Sequence, residues 1–207
     1  MKKPSKSALF DAAQRWDAAA VKEILAAAPA LAPATDPKGR MAIHIACAAP
    51  PGAKQGEPNG VKTAAALLEA GAPLEGFVPM DADEGDFRAN PLWYAVSRGR
   101  NLPLVRFLIG RGADASYSLW SVVFQDDAAM CRELLKAKPR LNLVAHGETP
   151  IFLAARTGRV KTLPLLIDAG ADPSIKDPQG RDAVDIARAR RLPKEIIACL
   201  AALKARL

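Results

Sequence analysis

Histidine is nearly absent from this chain, which carries only His44 and His146. Neither has a nucleophile at a motif spacing, and no G-x-S-x-G, H-E-x-x-H or phosphate-loop pattern occurs. Gly39, Gly60, Gly99, Gly147, Gly158 and Gly180 stand apart from one another, as turn glycines do, rather than clustering as a phosphate cradle. Cysteine is as scarce. Cys47, Cys131 and Cys199 lie at spacings unrelated to zinc motifs, so buried reduced thiols are expected, and neither metal nor cofactor. No apolar run reaches the roughly 18 residues of a membrane span, and no apolar core of signal-peptide length precedes Asp11. A cytoplasmic protein is therefore expected, with export as an effector the alternative. Aromatics make up 5% of the residues, too few for a large aromatic core. No linker divides the chain, which predicts a single domain over residues 1–207.

What the sequence does hold is a recurrence. Thr149-Pro150-Ile151-Phe152 is followed by Ala154-Ala155, Gly158, a Leu-rich stretch and Gly170-Ala171-Asp172. The aliphatic residue of that segment has counterparts at Leu9, Ile43, Leu92, Leu119, Ile151 and Val184. Three residues beyond each stands Ala12, Ala46, Ala95, Val122, Ala154 or Ala187. A small residue there lets two helices approach closely. Apolar pairs follow at Ile24-Leu25, Leu67-Leu68, Phe107-Leu108, Leu134-Leu135, Leu165-Leu166 and Cys199-Leu200, and three of these stretches close with Gly-Ala. Glycine suits the left-handed residue that ends a helix.

These segments resemble ankyrin repeats, whose period is about 33 residues. The resemblance implies an all-α solenoid of antiparallel helix pairs joined by short β-hairpin fingers, with divergent capping repeats at both ends. Six repeats fall near 7–35, 36–75, 89–116, 117–143, 147–175 and 180–207. Their anchors are 34, 49, 27, 32 and 33 residues apart. The long interval predicts two insertions, near 49–60 and 75–88, and the short one a clipped finger before Leu119. Asp36-Pro37-Lys38-Gly39 and Asp177-Pro178-Gln179-Gly180 have hairpin-tip composition. Pro103, Pro164 and Pro193 are expected at helix starts, where proline's missing donor costs nothing. His44 takes the family's histidine position, which implies that it bonds nearby backbone and braces the hairpin. The acidic run Asp81–Asp86 lacks the calcium-loop pattern, since Gly85 is fifth and Leu92 twelfth. It reads as a solvated loop.

The charge balance is basic, with a net charge of +7. Arg15, Arg98, Arg156 and Arg190 follow the small residue of their first helices, and are expected to line one strip at about 10 Å per repeat. Such a strip would attract an acidic surface. The alternative is that these arginines, standing at helix ends, merely favour solubility and the helix dipole. Trp93, Trp120 and Phe152 share the position of His44, where partial burial at the hairpin base is expected. The alternative is that the clipped finger uncovers Trp120 as an anchor for a partner, with Tyr94 one residue further on, closer to the groove. The resemblance implies contacts at hairpin tips and just past the Ala pair: Lys38, Arg40, Ser97, Arg98, His146, Glu148, Arg156 and Thr157. The expectation is a non-catalytic, monomeric scaffold that binds an acidic partner protein through a concave groove and its fingers. An inhibitor or immunity protein masking one enzyme is the alternative. Nucleic acid is disfavoured, because no stacking aromatics alternate with the basic residues and the acidic run would repel phosphate.

Overall fold

The computed structural model describes residues 4–51, 58–79 and 88–207. Among them, twelve helices form six antiparallel pairs, clustered in one block ending at Asp114 and another beginning at Ala115. In the first block α1 (Lys6–Gln14) pairs with α2 (Ala18–Ala27), and α3 (Ala42–Ala48) with α4 (Val61–Glu69). The third pair is α5 (Pro91–Tyr94), continued by a π-helical turn over Ala95–Gly99, and α6 (Leu102–Gly110). In the second block α7 (Ser118–Gln125) pairs with α8 (Ala128–Lys136), α9 (Pro150–Thr157) with α10 (Leu163–Asp168), and α11 (Ala183–Ala189) with α12 (Lys194–Lys204). Within each block first helices pack on first helices, and second on second. Each pair buries its apolar face on its neighbours, as a repeat architecture requires.

The recurring residues account for this packing. Five of the six aliphatic anchors are fully buried and the sixth, Val184, is 3% exposed. The small residues three positions on are buried too. Short polar side chains start the helices by accepting orphan backbone N–H groups. Asp17 accepts from Ala20 N–H at 3.0 Å, Asn90 from Trp93 at 2.9 Å, Asp127 from Met130 at 3.0 Å and Thr149 from Phe152 at 3.4 Å. Pro103 and Pro164 sit in the first turns of α6 and α10, and Pro193 immediately precedes α12. α10 thus starts late rather than breaking, as expected.

Each pair turns through one left-handed residue: Trp16, Gly60, Arg100, Asp126, Gly158 or Arg191. That residue lies seven positions after the anchor in the first, fourth, fifth and sixth repeats, but Arg100 lies eight after Leu92. The π turn absorbs the extra residue. Gly99 in that turn touches α3: a Cβ there would lie 2.3 Å from the Cys47 carbonyl oxygen. Trp16 is bulky for a left-handed position, yet it is buried and its indole N–H donates to the Ala46 carbonyl at 2.8 Å.

The insertions fall between α3 and α4 and between α4 and α5. The second is flanked by β1 (Val78–Pro79) and β2 (Arg88–Ala89), an antiparallel two-residue ladder pairing Val78 with Ala89. The acidic run 81–86 lies outside the described residues. The clipped finger is the short segment Ala113–Tyr117, but it does not bare Trp120, which is 7% exposed. Shortening brings Tyr117 onto the indole, with ring centroids 6.2 Å apart. The cysteines also differ from expectation. Cys47 and Cys131 are buried, and burial pushes the Cys131 thiol up to about 12, whereas Cys199 on α12 is exposed.

Candidate partner-binding surface

Hairpin tips are built to be rigid. Asp36 accepts the backbone N–H groups of Lys38 and Arg40, each at 2.9 Å, and pairs with the Arg40 guanidinium at 2.7 Å. Asp177 repeats this with Gln179 and Arg181. Burial pushes both carboxyls up, but the hydrogen bonds and arginine charge outweigh it and hold them below the usual range. The third tip uses His146 and Gly147, both with positive φ, between Ala145 and Glu148, which exchange backbone hydrogen bonds at 3.0 and 3.1 Å. Two positive-φ residues make the primed turn that suits a tight hairpin. On these frames the Lys38 and His146 side chains are exposed.

His44 has the bracing role expected of it. Its Nδ1 accepts from Met41 N–H at 2.9 Å, and its Nε2 lies 2.8 Å from the Gly76 carbonyl, to which it donates. Burial lowers its pKa, keeping the ring neutral. Tyr94 packs edge-on against His44 and Trp93, with centroids 5.1 and 5.2 Å apart, and is 7% exposed. Tyr94 and Trp120 are therefore structural in this conformation and present no free aromatic face, contrary to the alternative of an uncovered anchor.

The arginines do not share one register. Arg98 and Arg156 stand two residues before their left-handed turn residue, whereas Arg15 and Arg190 stand one before. One residue turns a helix by about 100°, so Arg15 and Arg98 within the first block, and Arg156 and Arg190 within the second, stand at different registers relative to their turns. Their engagement differs as well. Arg15 pairs with Asp11 at 2.8 Å in the open, a contact of little energetic weight. Arg156 is clamped on Glu148 by two hydrogen bonds, at 2.6 and 3.0 Å. Arg98 and Arg190 are exposed, Ser97 and Thr157 half-buried, and the Thr157 hydroxyl donates to the Leu153 carbonyl at 2.7 Å.

Two features escaped the sequence reading. Phe124 occupies the Arg156 register and is 65% exposed, with the Arg159 guanidinium 5.4 Å from its ring centroid. Both stand five residues after their anchors, Leu119 and Ile151, so the count that reaches Arg156 also reaches Phe124. Asp126, which interrupts the basic residues, is a structural clasp. Its carboxylate accepts from Thr162 N–H and Oγ1, both at 3.0 Å, and from Lys161 N–H at 3.2 Å.

Comparison with known proteins agrees with this geometry. The family model of ankyrin repeats (3 copies) matches residues 92–177. Human ankyrin repeat domain-containing protein 29 is 36% identical over 64 residues, which are 31% of this chain and 18% of that protein. An ankyrin repeat domain from Acinetobacter baumannii superposes with a TM-score of 0.73 at 25% identity, covering 96% of this chain and 98% of the other. A chain from the complex of the predatory endopeptidase Bd0816 of Bdellovibrio bacteriovorus with immunity protein Bd3460 has a TM-score of 0.67 at 23% identity, with coverage of 94% and 97%. Among the described residues no helix is long and apolar enough to cross a membrane. The paired helices, the buried anchors, the histidine brace and these matches give one conclusion: the chain is an ankyrin repeat protein.

Proposed function

We propose that this chain is a non-catalytic binding module that grips an acidic partner protein through its hairpin tips and the C-terminal ends of its first helices. One contrast carries the reading. The groups that build each repeat, such as His44, Asp36 and Asp126, are engaged internally, while Lys38, Arg98 and Arg190 are exposed on that ordered frame. A preorganised frame lowers the entropy cost of binding, and exposed cations favour encounter with an acidic surface. The test is capture of a partner from the source organism by the wild type and by Lys38→Glu combined with Arg190→Glu. Loss of capture with an unchanged melting temperature supports the reading, and undiminished capture refutes it.

Fold likeness to a chain of the endopeptidase–immunity protein complex favours a second reading, an inhibitor that masks one enzyme. That reading requires a single one-to-one complex, and it fails if the captured protein is equally active free and bound.

A further inference from the structure

Arg98 and Arg156 stand at the same place before the turn of their repeats, yet they are held differently. Arg156 is closed on Glu148, the residue just before the N-cap Thr149. In the third repeat the residue just before the N-cap, Asn90, is Ala89, which is fully buried and carries no charge. Arg98 is exposed, and its guanidinium lies 5.9 Å from the centroid of the Trp93 ring. Among the described residues, two hairpin carboxylates of this block are committed elsewhere. Asp36 holds Arg40, and Glu75 accepts from Asn90 Nδ2 at 3.0 Å and from Asp114 N–H at 2.9 Å.

We propose that Arg98 is this chain's carboxylate-recognition residue: braced on Trp93, it donates two parallel hydrogen bonds to an aspartate or glutamate of an acidic segment on the partner protein. The partner's carboxylate then takes the place that Glu148 takes on Arg156. A planar guanidinium suits this because its fork matches a carboxylate, and its face can rest on an indole while its edge still donates. The π turn sets the position, because it adds the residue that carries Arg98 to the end of the helix while Gly99 stays against α3. The proposal rests on the protein-binding reading above and adds the chemistry recognised.

The test is a titration of the full chain with the peptide Gly-Glu-Glu-Leu-Glu-Glu-Gly and its all-Gln counterpart, followed by NMR at the arginine Nε–H groups. The Glu peptide is expected to shift the Arg98 resonance to saturation, and the Gln peptide is not. Arg98→Gln and Arg98→Lys are each expected to weaken Glu-peptide binding about tenfold, the lysine because it keeps the charge but loses the fork. Lys22→Gln, at an exposed position on the second helix α2, is expected to change it less than twofold. Equal losses at Lys22 and Arg98, or full affinity in Arg98→Lys, overturn the proposal. Partner capture separates the two readings. If Lys38→Glu with Arg190→Glu abolishes capture while Arg98→Gln leaves it intact, the binding module stands and Arg98 recognition fails. If neither variant alters capture, both fail.

Discussion

Acidification to pH 5 is expected to destabilise this protein, and His44 is the group responsible. The imidazole is fully buried, its Nδ1 faces the Met41 N–H, and its Nε2–H is spent on the Gly76 carbonyl. A second proton would have to enter at Nδ1, against that N–H and without water. Burial thus lowers the folded pKa, while the unfolded chain titrates near the usual ~6.5. Below that value the unfolded state binds the proton first. Stability is therefore full above about pH 6.5 and falls as pH drops toward the folded pKa, by at most ~1.4 kcal/mol per pH unit. The carboxylates Asp36, Asp177 and Asp182 all have lowered pKa values and contribute only below about pH 4, which leaves pH 5 to 6.5 to His44. A His146→Gln background removes the other histidine. Replacing His44 by alanine strands the Met41 N–H and the half-buried Gly76 carbonyl and leaves a cavity, together costing about 3 to 4 kcal/mol. Asparagine can still accept from Met41 but cannot reach Gly76, so it should cost roughly half as much. Urea unfolding from pH 5 to 8, read by circular dichroism, measures both effects. A flat profile between pH 5 and 6.5 in His146→Gln, or the same slope after His44→Asn, would refute this account of the brace.

The remaining predictions concern backbone. Gly99→Ala places a methyl 2.3 Å from the Cys47 carbonyl oxygen and 3.3 Å from that of Ala49, both backbone atoms. It should cost about 2 kcal/mol or more, and a melting temperature within a degree of wild type would show that α3 and the π turn can separate freely. Lys138, with φ 50°, takes the left-handed place after α8 that Gly71, Gly112 and Gly170 take after their helices. Lys138→Gly should therefore stabilise by about 0.5 to 1 kcal/mol, and a lower melting temperature would contradict it. Asp126→Ala leaves the Thr162 N–H and hydroxyl without their acceptor and should cost about 2 kcal/mol. Hydrogen exchange should locate that loss at the start of α10, and unchanged protection there would count against the clasp.

The helix pairs were legible because their demands are local. An anchor, a small residue three positions on and a Gly-Ala terminus are short-range patterns, and the structure buries the first two and gives the terminal glycines left-handed backbone. The brace at His44 was legible through the family resemblance. Trp120 was not, because its cover depends on how a five-residue segment folds back and lays Tyr117 on the ring. The arginines are uneven for two reasons. Arg156 stands five residues after its anchor where the other three stand six, an offset already visible in the sequence. The π turn adds a residue before the turn of the third repeat, and that one shows only once the left-handed residue is located. Cys199 followed the apolar-pair pattern of the second helices, yet it lies on the exposed side of α12, because a pair of adjacent residues on a helix cannot face the core equally.

The repeats differ most where they meet the same backbone demand with different chemistry, and that difference bears on where binding resides. Each pair must turn through one left-handed residue, and glycine does so at no steric cost. Glycine fills that place at Gly60 and Gly158, whereas Trp16, Arg100, Asp126 and Arg191 fill it elsewhere. Trp16 and Asp126 offset the strain by hydrogen bonds into the neighbouring repeat, which ties their side chains to the frame. Arg100 and Arg191 are exposed instead. A strained residue whose side chain projects outward needs a reason beyond local stability, and both stand beside the exposed cations Arg98 and Arg190. Replacing Arg100 and Arg191 together by glycine should raise the melting temperature while weakening partner capture. A gain in stability with capture unchanged would mean that the strain serves no partner.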